Sequence, residues 1–192
     1  MAEHVCPVWA GYFLLSPLRK LIQNPQTILS PYIREGMTVL DYGCAMGFFS
    51  IPLARMAGAG GKIICVDIQE KMLGILEKRA RKAGVAARIE TRLCNLPASC
   101  LHDLAGKIDF ALAFAVVHEV PDPSGLFAVL STAMKPSGRL LVAEPKGHVS
   151  EKEFDSTVGK AREQGFTVTE TPRVPRCRAV LLEKEGKDCL NH

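Results

Sequence analysis

Two carboxylates and a glycine-rich turn are the residues of this sequence whose types and spacing suggest chemistry. Asp41 lies at the end of an apolar run, and Gly43 and Gly47 follow it closely. Glycines at such a point let the backbone turn sharply and approach a ligand. Asp67 ends the next apolar run, where a carboxylate can accept hydrogen bonds from ribose hydroxyls. The pattern predicts a nucleotide-binding turn.

The residues around the turn narrow the choice of nucleotide. A dinucleotide-binding turn has a small residue at the third position of its glycine pattern, where this sequence has Phe48. No Gly-Lys-Ser/Thr follows, which excludes a phosphate-binding P-loop. Asp41 would repel a pyrophosphate but suits a ligand that carries an ammonium and a sulfonium group. The ligand that fits is S-adenosylmethionine, with Ile68 expected against its adenine face.

Short β-rich runs alternate with helical stretches along the middle of the chain, which is typical of a parallel sheet with crossover helices. The predicted strands are 38–42, 62–67, 87–94, 108–115 and 139–144, and the predicted helices are 48–56, 69–83 and 123–133. A turn at 135–138 leads into the fifth strand. After a helix over 150–164, strands 166–173 and 177–184 should pair antiparallel, because the connection between them is too short for a crossover helix.

Residues 1–36 differ from the rest and carry an apolar stripe broken by prolines. We predict a helical cap over the ligand mouth, on the general placement of α/β ligand sites; a structural helix that covers a sheet face is the alternative. The body of the domain is predicted over 37–186, with a tail at 187–192. The stripe consists of Trp9, Tyr12, Phe13, Leu14, Leu18, Leu21 and Ile22.

The motifs over residues 37–145 resemble the class I S-adenosylmethionine-dependent methyltransferase family, in particular its small-molecule type. The resemblance rests on Val-Leu-Asp-Tyr-Gly-Cys-Ala-Met-Gly at 39–47, Val-His-Glu-Val-Pro-Asp at 117–122 and Met-Lys-Pro-Ser-Gly-Arg-Leu at 134–140. It implies an α/β, Rossmann-like methyltransferase fold, with a seven-stranded, mostly parallel sheet whose last strand is antiparallel. S-adenosyl-L-methionine is the cofactor that it implies.

The resemblance also implies site residues. Gly43, Cys44 and Gly47 would line the methionyl part of the cofactor, Asp41 would help to place its amino group, and Asp67 would hold the ribose. Cys44 is interpreted as a packing residue rather than as a nucleophile.

Two positions depart from the family pattern. Ala45 replaces the usual middle glycine, and Cys94 or Asn95 stands where the family usually has an aspartate that contacts the adenine amine. Phe114, at the end of the fourth strand, completes the candidate cofactor contacts.

Methyl transfer depends mainly on positioning and on exclusion of water, but an acidic acceptor needs a base. His118, just after the fourth strand, is the candidate catalytic base, and plant-type O-methyltransferases resemble this stretch with their catalytic histidine. A histidine that only packs near the mouth is the alternative. Glu119 and His148 are weaker candidates. Glu144 would orient a substrate or cap the following loop.

Composition limits the other functions. The chain of 192 residues is one domain, and its net charge of +4 is spread along the sequence, so no nucleic-acid partner is indicated. The longest early apolar run, 8–15, is too short to span a membrane. The partner that we expect is a small-molecule acceptor. The alternative is a cofactor-binding module that lacks transfer activity and acts through a protein partner. An arsenite methyltransferase is a less favoured alternative.

The seven cysteines form no C-x-x-C pair and no regular framework; they lie at positions 6, 44, 65, 94, 100, 177 and 189. We therefore predict reduced thiols in a cytoplasmic protein. His4 and Cys6 have no complementary pair at zinc-site spacing, so no metal site is predicted.

Overall fold

The computed structural model describes residues 17–95 and 97–186, and the strands in these ranges form one seven-stranded sheet in the order β3-β2-β1-β4-β5-β7-β6. The neighbours from β3 to β5 pair in parallel, and β7 runs antiparallel to both β5 and β6. The predicted mostly parallel sheet with an antiparallel last strand is therefore confirmed. The strands are β1 (Thr38–Tyr42), β2 (Lys62–Asp67), β3 (Ile89–Leu93), β4 (Ile108–Phe114), β5 (Met134–Pro145), β6 (Phe166–Glu170) and β7 (Cys177–Lys184).

Helices lie between successive parallel strands, as a crossover fold requires, and others precede β1 or lead from β5 into β6. They are α1 (Pro17–Ile22), α2 (Pro25–Leu29), α3 (Ser50–Met56), α4 (Glu70–Lys82), α5 (Pro97–Leu101), α6 (Pro123–Ala133) and α7 (Glu151–Glu163). Short 3₁₀ turns cover Ala86–Arg88, His102–Leu104 and Val117–Glu119. A capping box at Ser150 and Glu153 fixes the start of α7, since each side chain bonds the other residue's backbone N–H.

Several predicted boundaries were wrong by a few residues. The third helix begins at Ser50 rather than 48, and β6 ends at Glu170 rather than 173. The larger difference is in β5, which begins at Met134 and contains the predicted turn 135–138 as an irregularity. Its pairing with β4 jumps from Ile108–Met134 to Phe110–Arg139, so several residues of β5 are accommodated without partners in that interval.

The order of the strands determines where a ligand can bind. The chain proceeds from β1 outward to β3 and then returns to place β4 on the other side of β1. At such a reversal two loops separate and leave a crevice at the carboxyl ends of the strands. Two apolar clusters, one around Val39 and one around Leu40, pack on the two faces of the sheet and hold these ends in place.

The structure describes only the last part of the N-terminal segment that carries the predicted apolar stripe. Trp9, Tyr12 and Phe13 lie outside the described residues, and Leu21 on α1 is exposed. Gln23, after α1, donates a hydrogen bond to the Pro175 carbonyl at 2.9 Å and so joins this segment to the connection before β7.

Candidate functional site

A cavity of about 380 Å³ opens at the carboxyl ends of β1, β2, β3 and β4. This volume lies within the usual range for small-molecule sites. Arg19 of α1 joins the wall from the N-terminal segment. Of the residues that the sequence predicted as cofactor contacts, the wall contains Asp41, Gly43, Cys44, Ala45, Asp67, Ile68, Cys94, Asn95 and Phe114.

The glycine turn after β1 has a backbone shape that side chains oppose. Gly43 has a φ of 74°, and a β-carbon there would lie 2.5 Å from the Val116 side chain. Ala45 adopts a φ of 46° although it is not glycine. Its N–H donates to Asp67 Oδ2 at 2.8 Å, which holds the strained turn against the end of β2.

Gly47 does not line the cavity, and a different contact requires glycine at this position. Its φ is 78°, and an added β-carbon would overlap the side chain of Leu76 on α4. The absent side chain lets α4 pack against the turn, so Gly47 supports the shape of the wall from behind.

Asp41 is a buried carboxylate in the wall, with only 2% of its surface exposed. Its Oδ2 accepts a 2.5 Å hydrogen bond from the Ser50 hydroxyl at the start of α3. Burial raises the pKa of Asp41 to about 7, against the opposing effect of that hydrogen bond. A cation in the cavity would favour the charged form, so this carboxyl group is suited to an ammonium ligand.

Asp67 combines a structural role with a place in the wall. Besides the bond from Ala45, its Oδ1 accepts the Gln69 N–H at 2.9 Å. Each carboxylate oxygen has a further lone pair, so both can still accept from a ligand. Burial raises the pKa of Asp67, while these backbone N–H groups act to lower it.

The segment after β3 corrects one prediction about the cysteines. Cys94 and Cys100 form a disulfide, so the expectation that all thiols are reduced was wrong for this pair. The physical reason is that α5 turns the chain back and brings the two Cα atoms within 5.6 Å. Cys44 remains a free, buried thiol, and burial raises the pKa of Cys44 well above its usual range.

An aromatic group borders the same cavity. The Arg19 guanidinium carbon lies 4.3 Å from the centroid of the Phe48 ring and 5.7 Å from those of Phe49 and Phe114. Phe49 and Phe114 lie 4.5 Å apart between centroids. Arg19 is the one basic residue in the wall among those whose side chains the structure describes.

His118 lies in the 3₁₀ turn Val117–Glu119, just outside the residues that line the cavity. Its Nδ1 is 2.5 Å from Glu144 Oε2, and Glu144 Oε1 accepts the Val117 N–H at 2.8 Å. The Glu144 side chain is 1% exposed and that of His118 is 24% exposed. The hydrogen bond to Glu144 raises the pKa of His118. Glu144 therefore holds both the turn and the imidazole.

The neighbouring residue Glu119 does line the cavity, together with Val120. Its Oε1 lies 4.0 Å from His118 Nε2, and desolvation raises the pKa of Glu119. His148, the other weak candidate, makes an edge contact with the His118 ring at 5.9 Å between centroids. Glu119 thus brings the charge of this turn to the cavity.

Sequence reasoning missed Arg19 and the pairing of Cys94 with Cys100. No motif connects Arg19 to the sheet, because its place in the wall depends on the packing of α1. For the cysteines, the six-residue separation across Pro97 was a usable signal, since a single helical turn can close it.

Among the described residues, no cluster of three or more His, Cys, Asp or Glu side chains is suited to hold a metal ion. The helices of residues 17–95 and 97–186 are all too short or too polar to cross a membrane.

Comparison with known proteins places these features in a family. Residues 33–180 match the family described as "Methyltransferase domain". A ubiquinone/menaquinone biosynthesis C-methyltransferase from Francisella philomiragia is 30% identical over 71% of this chain and 56% of its own length. A ubiquinone biosynthesis O-methyltransferase from Methylocella silvestris is 28% identical over 71% of this chain and 52% of its own length. The chain spans about half the length of these curated relatives.

Solved structures give the same fold. A methyltransferase from Aquifex aeolicus, described as dependent on S-adenosylmethionine, superposes with a TM-score of 0.79 at 23% identity, over 93% of this chain and 99% of that one. A protein described as the [4+2]-cyclase SpnF superposes with a TM-score of 0.70 at 15% identity, over 84% of this chain and 81% of that one. The family match over most of the chain, on a sheet of the matching topology, shows that this protein belongs to the class I S-adenosylmethionine-dependent methyltransferase family.

Proposed function

We propose that this protein transfers the methyl group of S-adenosyl-L-methionine to a small-molecule acceptor with an ionisable aromatic hydroxyl group. The observation that carries the proposal is a cavity whose wall includes the glycine turn, Asp41 and Asp67, together with Arg19 and the aromatic rings beside it. When bound, the cofactor supplies a methyl group that its sulfonium already activates. The protein then has to bind, orient, exclude water and accept a proton.

The charges in the wall fit the charges of the cofactor. Asp41 would face the ammonium group of the methionyl part, and Arg19 would pair with its carboxylate. Asp67 would accept hydrogen bonds from the ribose hydroxyls on the lone pairs that the Ala45 and Gln69 N–H groups leave free. Ile68, which is 46% exposed, would cover the adenine, with Cys94 and Asn95 at its edge. Gly43, Cys44 and Ala45 would line the methionyl part, Phe114 would pack beside it, and Gly47 would hold the turn.

His118 is the proposed catalytic base. With Nδ1–H donated to Glu144, the second nitrogen of the neutral ring is left as a proton acceptor. That nitrogen is near Glu119, whose carboxylate lies on the cavity side of the turn. A proton released by the acceptor would therefore reach His118 through Glu119, which lines the cavity, and Glu144 would stabilise the imidazolium that forms.

The acceptor class rests on the relatives and on the wall. The relatives are described as methyltransferases of ubiquinone and menaquinone biosynthesis. Phe48, Phe49 and Phe114 would give an aromatic acceptor a matching apolar surface. We further propose that residues 1–36 cap the cavity, since Arg19 reaches its wall. Residues 37–186 would then form the catalytic domain, with 187–192 as a tail. We also propose that the protein works in the cytoplasm.

A cofactor-binding module without methyl transfer is the second candidate, because a structure described as a cyclase has the same fold. A metalloid acceptor is not proposed: Cys94 and Cys100 are joined to each other and Cys44 is buried.

Calorimetric titration with S-adenosylmethionine, S-adenosylhomocysteine and NAD tests the cofactor. We expect micromolar binding of the first two and none of NAD, because Asp41 and Phe48 oppose a pyrophosphate. NAD binding of equal or greater strength would contradict the assignment. A screen of hydroxyaromatic acceptors with radiolabelled methyl donor then separates the enzyme from the binding module, since only the enzyme yields labelled product.

A further inference from the structure

Cys94 and Cys100 lie where their oxidation state would affect the cofactor, if the proposed function holds. We propose that this pair is a redox modification site, at which closure of the disulfide strengthens binding of S-adenosylmethionine. The oxidant that closes the bridge would be a low-molecular-weight disulfide, which exchanges with protein thiols. The inference rests on the proposed cofactor site, and the experiment below separates the failure of one from the failure of the other.

The placement of the two sulfurs is asymmetric. Cys94 lines the cavity and is only 2% exposed, whereas Cys100 is half-buried on α5 and lies outside the wall. The backbone N–H of Cys94 donates to the carbonyl of Asp67 at 3.0 Å. Cys94 is therefore fixed directly beside the carboxylate that we assign to the ribose.

The bridge closes a short segment that is itself part of the wall. Asn95 and Pro97 lie between the two cysteines, and both line the cavity. On the far side, Arg92 donates to the Cys100 carbonyl at 2.7 Å and pairs with Asp103. The segment is thus anchored at β3 and at α5, and the disulfide is the covalent link between these anchors.

The link affects binding through conformational freedom. With both thiols reduced, the wall segment has more conformations, and a ligand that needs one of them must order it at a cost in free energy. The disulfide removes those conformations before the ligand arrives. Because coupling between two sites is reciprocal, a cofactor that prefers the closed form must also favour its oxidation by the same factor.

Thiol–disulfide exchange balances without any other reactant. The thiolate of Cys100, the more accessible sulfur, attacks the small disulfide and releases one small thiolate, which leaves a mixed disulfide on Cys100. The thiolate of Cys94 then attacks the Cys100 sulfur and releases the second. The protein loses two electrons and two protons, and the small disulfide is reduced to two thiols.

The three free cysteines within the described ranges are not placed for this role. Cys44, Cys65 and Cys177 are buried. Burial raises the pKa of Cys44 and of Cys177, which keeps both as unreactive thiols at neutral pH. Cys177 is therefore a suitable control position.

The test compares S-adenosylhomocysteine binding by calorimetry to the full chain equilibrated in dithiothreitol and in glutathione disulfide, with peptide mapping to identify the paired cysteines. We expect a Cys94–Cys100 bridge in the oxidised sample and a dissociation constant lower by about fivefold or more, the usual lower end of coupling between sites. Cys100→Ser should bind as the reduced protein does under both conditions, and Cys177→Ser should keep the response. As a second measurement, S-adenosylhomocysteine should shift the thiol–disulfide equilibrium of the wild type toward the bridge by the same factor.

Each other outcome has a defined meaning. Equal affinity in the two states, tighter binding in the reduced state, or a response that persists in Cys100→Ser would overturn the redox inference and leave the cofactor site standing. Failure of glutathione disulfide to form the bridge would do the same. Absence of binding in both states would overturn the proposed function and this inference with it.

Discussion

The glycine turn after β1 and the 3₁₀ turn after β4 are held in the same way but differ in what they add to the site. In each, a carboxylate at or near the end of the neighbouring strand accepts a backbone N–H of the turn: Asp67 of β2 accepts from Ala45, and Glu144 of β5 accepts from Val117. The two turns differ in what the second oxygen of each carboxylate contacts. That of Asp67 accepts another backbone N–H, whereas that of Glu144 meets the imidazole of His118.

This difference separates binding from reactivity. The glycine turn is fixed by backbone N–H donors, which do not titrate, and such a fixed arrangement suits a cofactor site. The turn after β4 is tied to an imidazole whose pKa is raised by its hydrogen bond to Glu144, so the charge at this turn can change during a reaction. Variants that alter one carboxylate or its partner should therefore affect either affinity or turnover.

The largest expected effect follows replacement of His118. His118→Ala should lower methyl-transfer turnover by roughly 10²–10⁴-fold with the acceptor identified in the screen, while cofactor affinity stays nearly unchanged. The wild-type rate should rise with pH, because only the neutral ring accepts a proton. Its midpoint should lie above 6.5, since Glu144 raises the pKa of His118.

Glu144→Gln and Glu119→Gln sharpen this result. Glu144→Gln should move the midpoint of the pH profile downward, whereas loss of Glu119 should lower the rate only if it relays the proton.

The same pair should affect stability, because the pKa of His118 is higher in the folded protein than in the unfolded chain. The pairing with Glu144 stabilises the fold at pH values below the pKa of the unfolded state, and this contribution disappears as the pH rises through the pKa of the folded state. Thermal unfolding against pH should show that slope in the wild type and lose it in Glu144→Gln. Normal turnover in His118→Ala, with the same pH profile, would remove His118 from the mechanism.

The two turns also differ in how far sequence could predict them. The glycine turn is a local pattern: Asp41, Gly43 and Gly47 fall within seven residues, and Asp67 ends the next strand, so spacing alone brings them together. The pairing of Glu144 with His118 joins residues 26 positions apart. Nothing in the sequence gives the rotation of that imidazole, which decides whether it points into the cavity or behind it.

The same physical distinction accounts for the remaining outcomes. The strands β1, β2 and β7 were predicted to the residue because apolar alternation and turn residues mark their ends. The sequence predicts a turn at the irregular start of β5, since a left-handed residue such as Ser137 and a neighbouring glycine are typical of both turns and irregular strands. Arg19 was missed because its place depends on helix packing rather than on a pattern.

A smaller effect is expected at the glycine turn. Asp67→Asn should weaken cofactor binding by about 1.5–3 kcal/mol, the scale of hydrogen bonds to a charged group, and should also destabilise the turn because Ala45 and Gln69 both donate to this carboxylate. Calorimetry and thermal unfolding measure the two effects. Asp109→Asn is the matched control: Asp109 accepts the Thr38 N–H at 2.8 Å, but at the opposite end of β1. It should cost stability without loss of affinity, and equal losses of affinity in both variants would mean that Asp67 acts only through the fold.

The smallest effect concerns Arg19, which belongs to neither turn and tests whether the N-terminal segment contributes to binding. Arg19→Met keeps the apolar stem over Phe48 but removes the charge that we pair with the cofactor carboxylate. Since Arg19 is half-buried and its guanidinium also lies over aromatic rings, the loss of affinity for S-adenosylhomocysteine should be about 0.5–1 kcal/mol, as for partly screened charge pairs. The loss should shrink as salt is added, because screening already weakens the pair in the wild type.

Arg34→Met, at an exposed arginine outside the cavity wall, controls for net charge and should leave affinity unchanged. An unchanged dissociation constant in Arg19→Met at low salt would remove the N-terminal segment from the cofactor site and leave it as a structural cover.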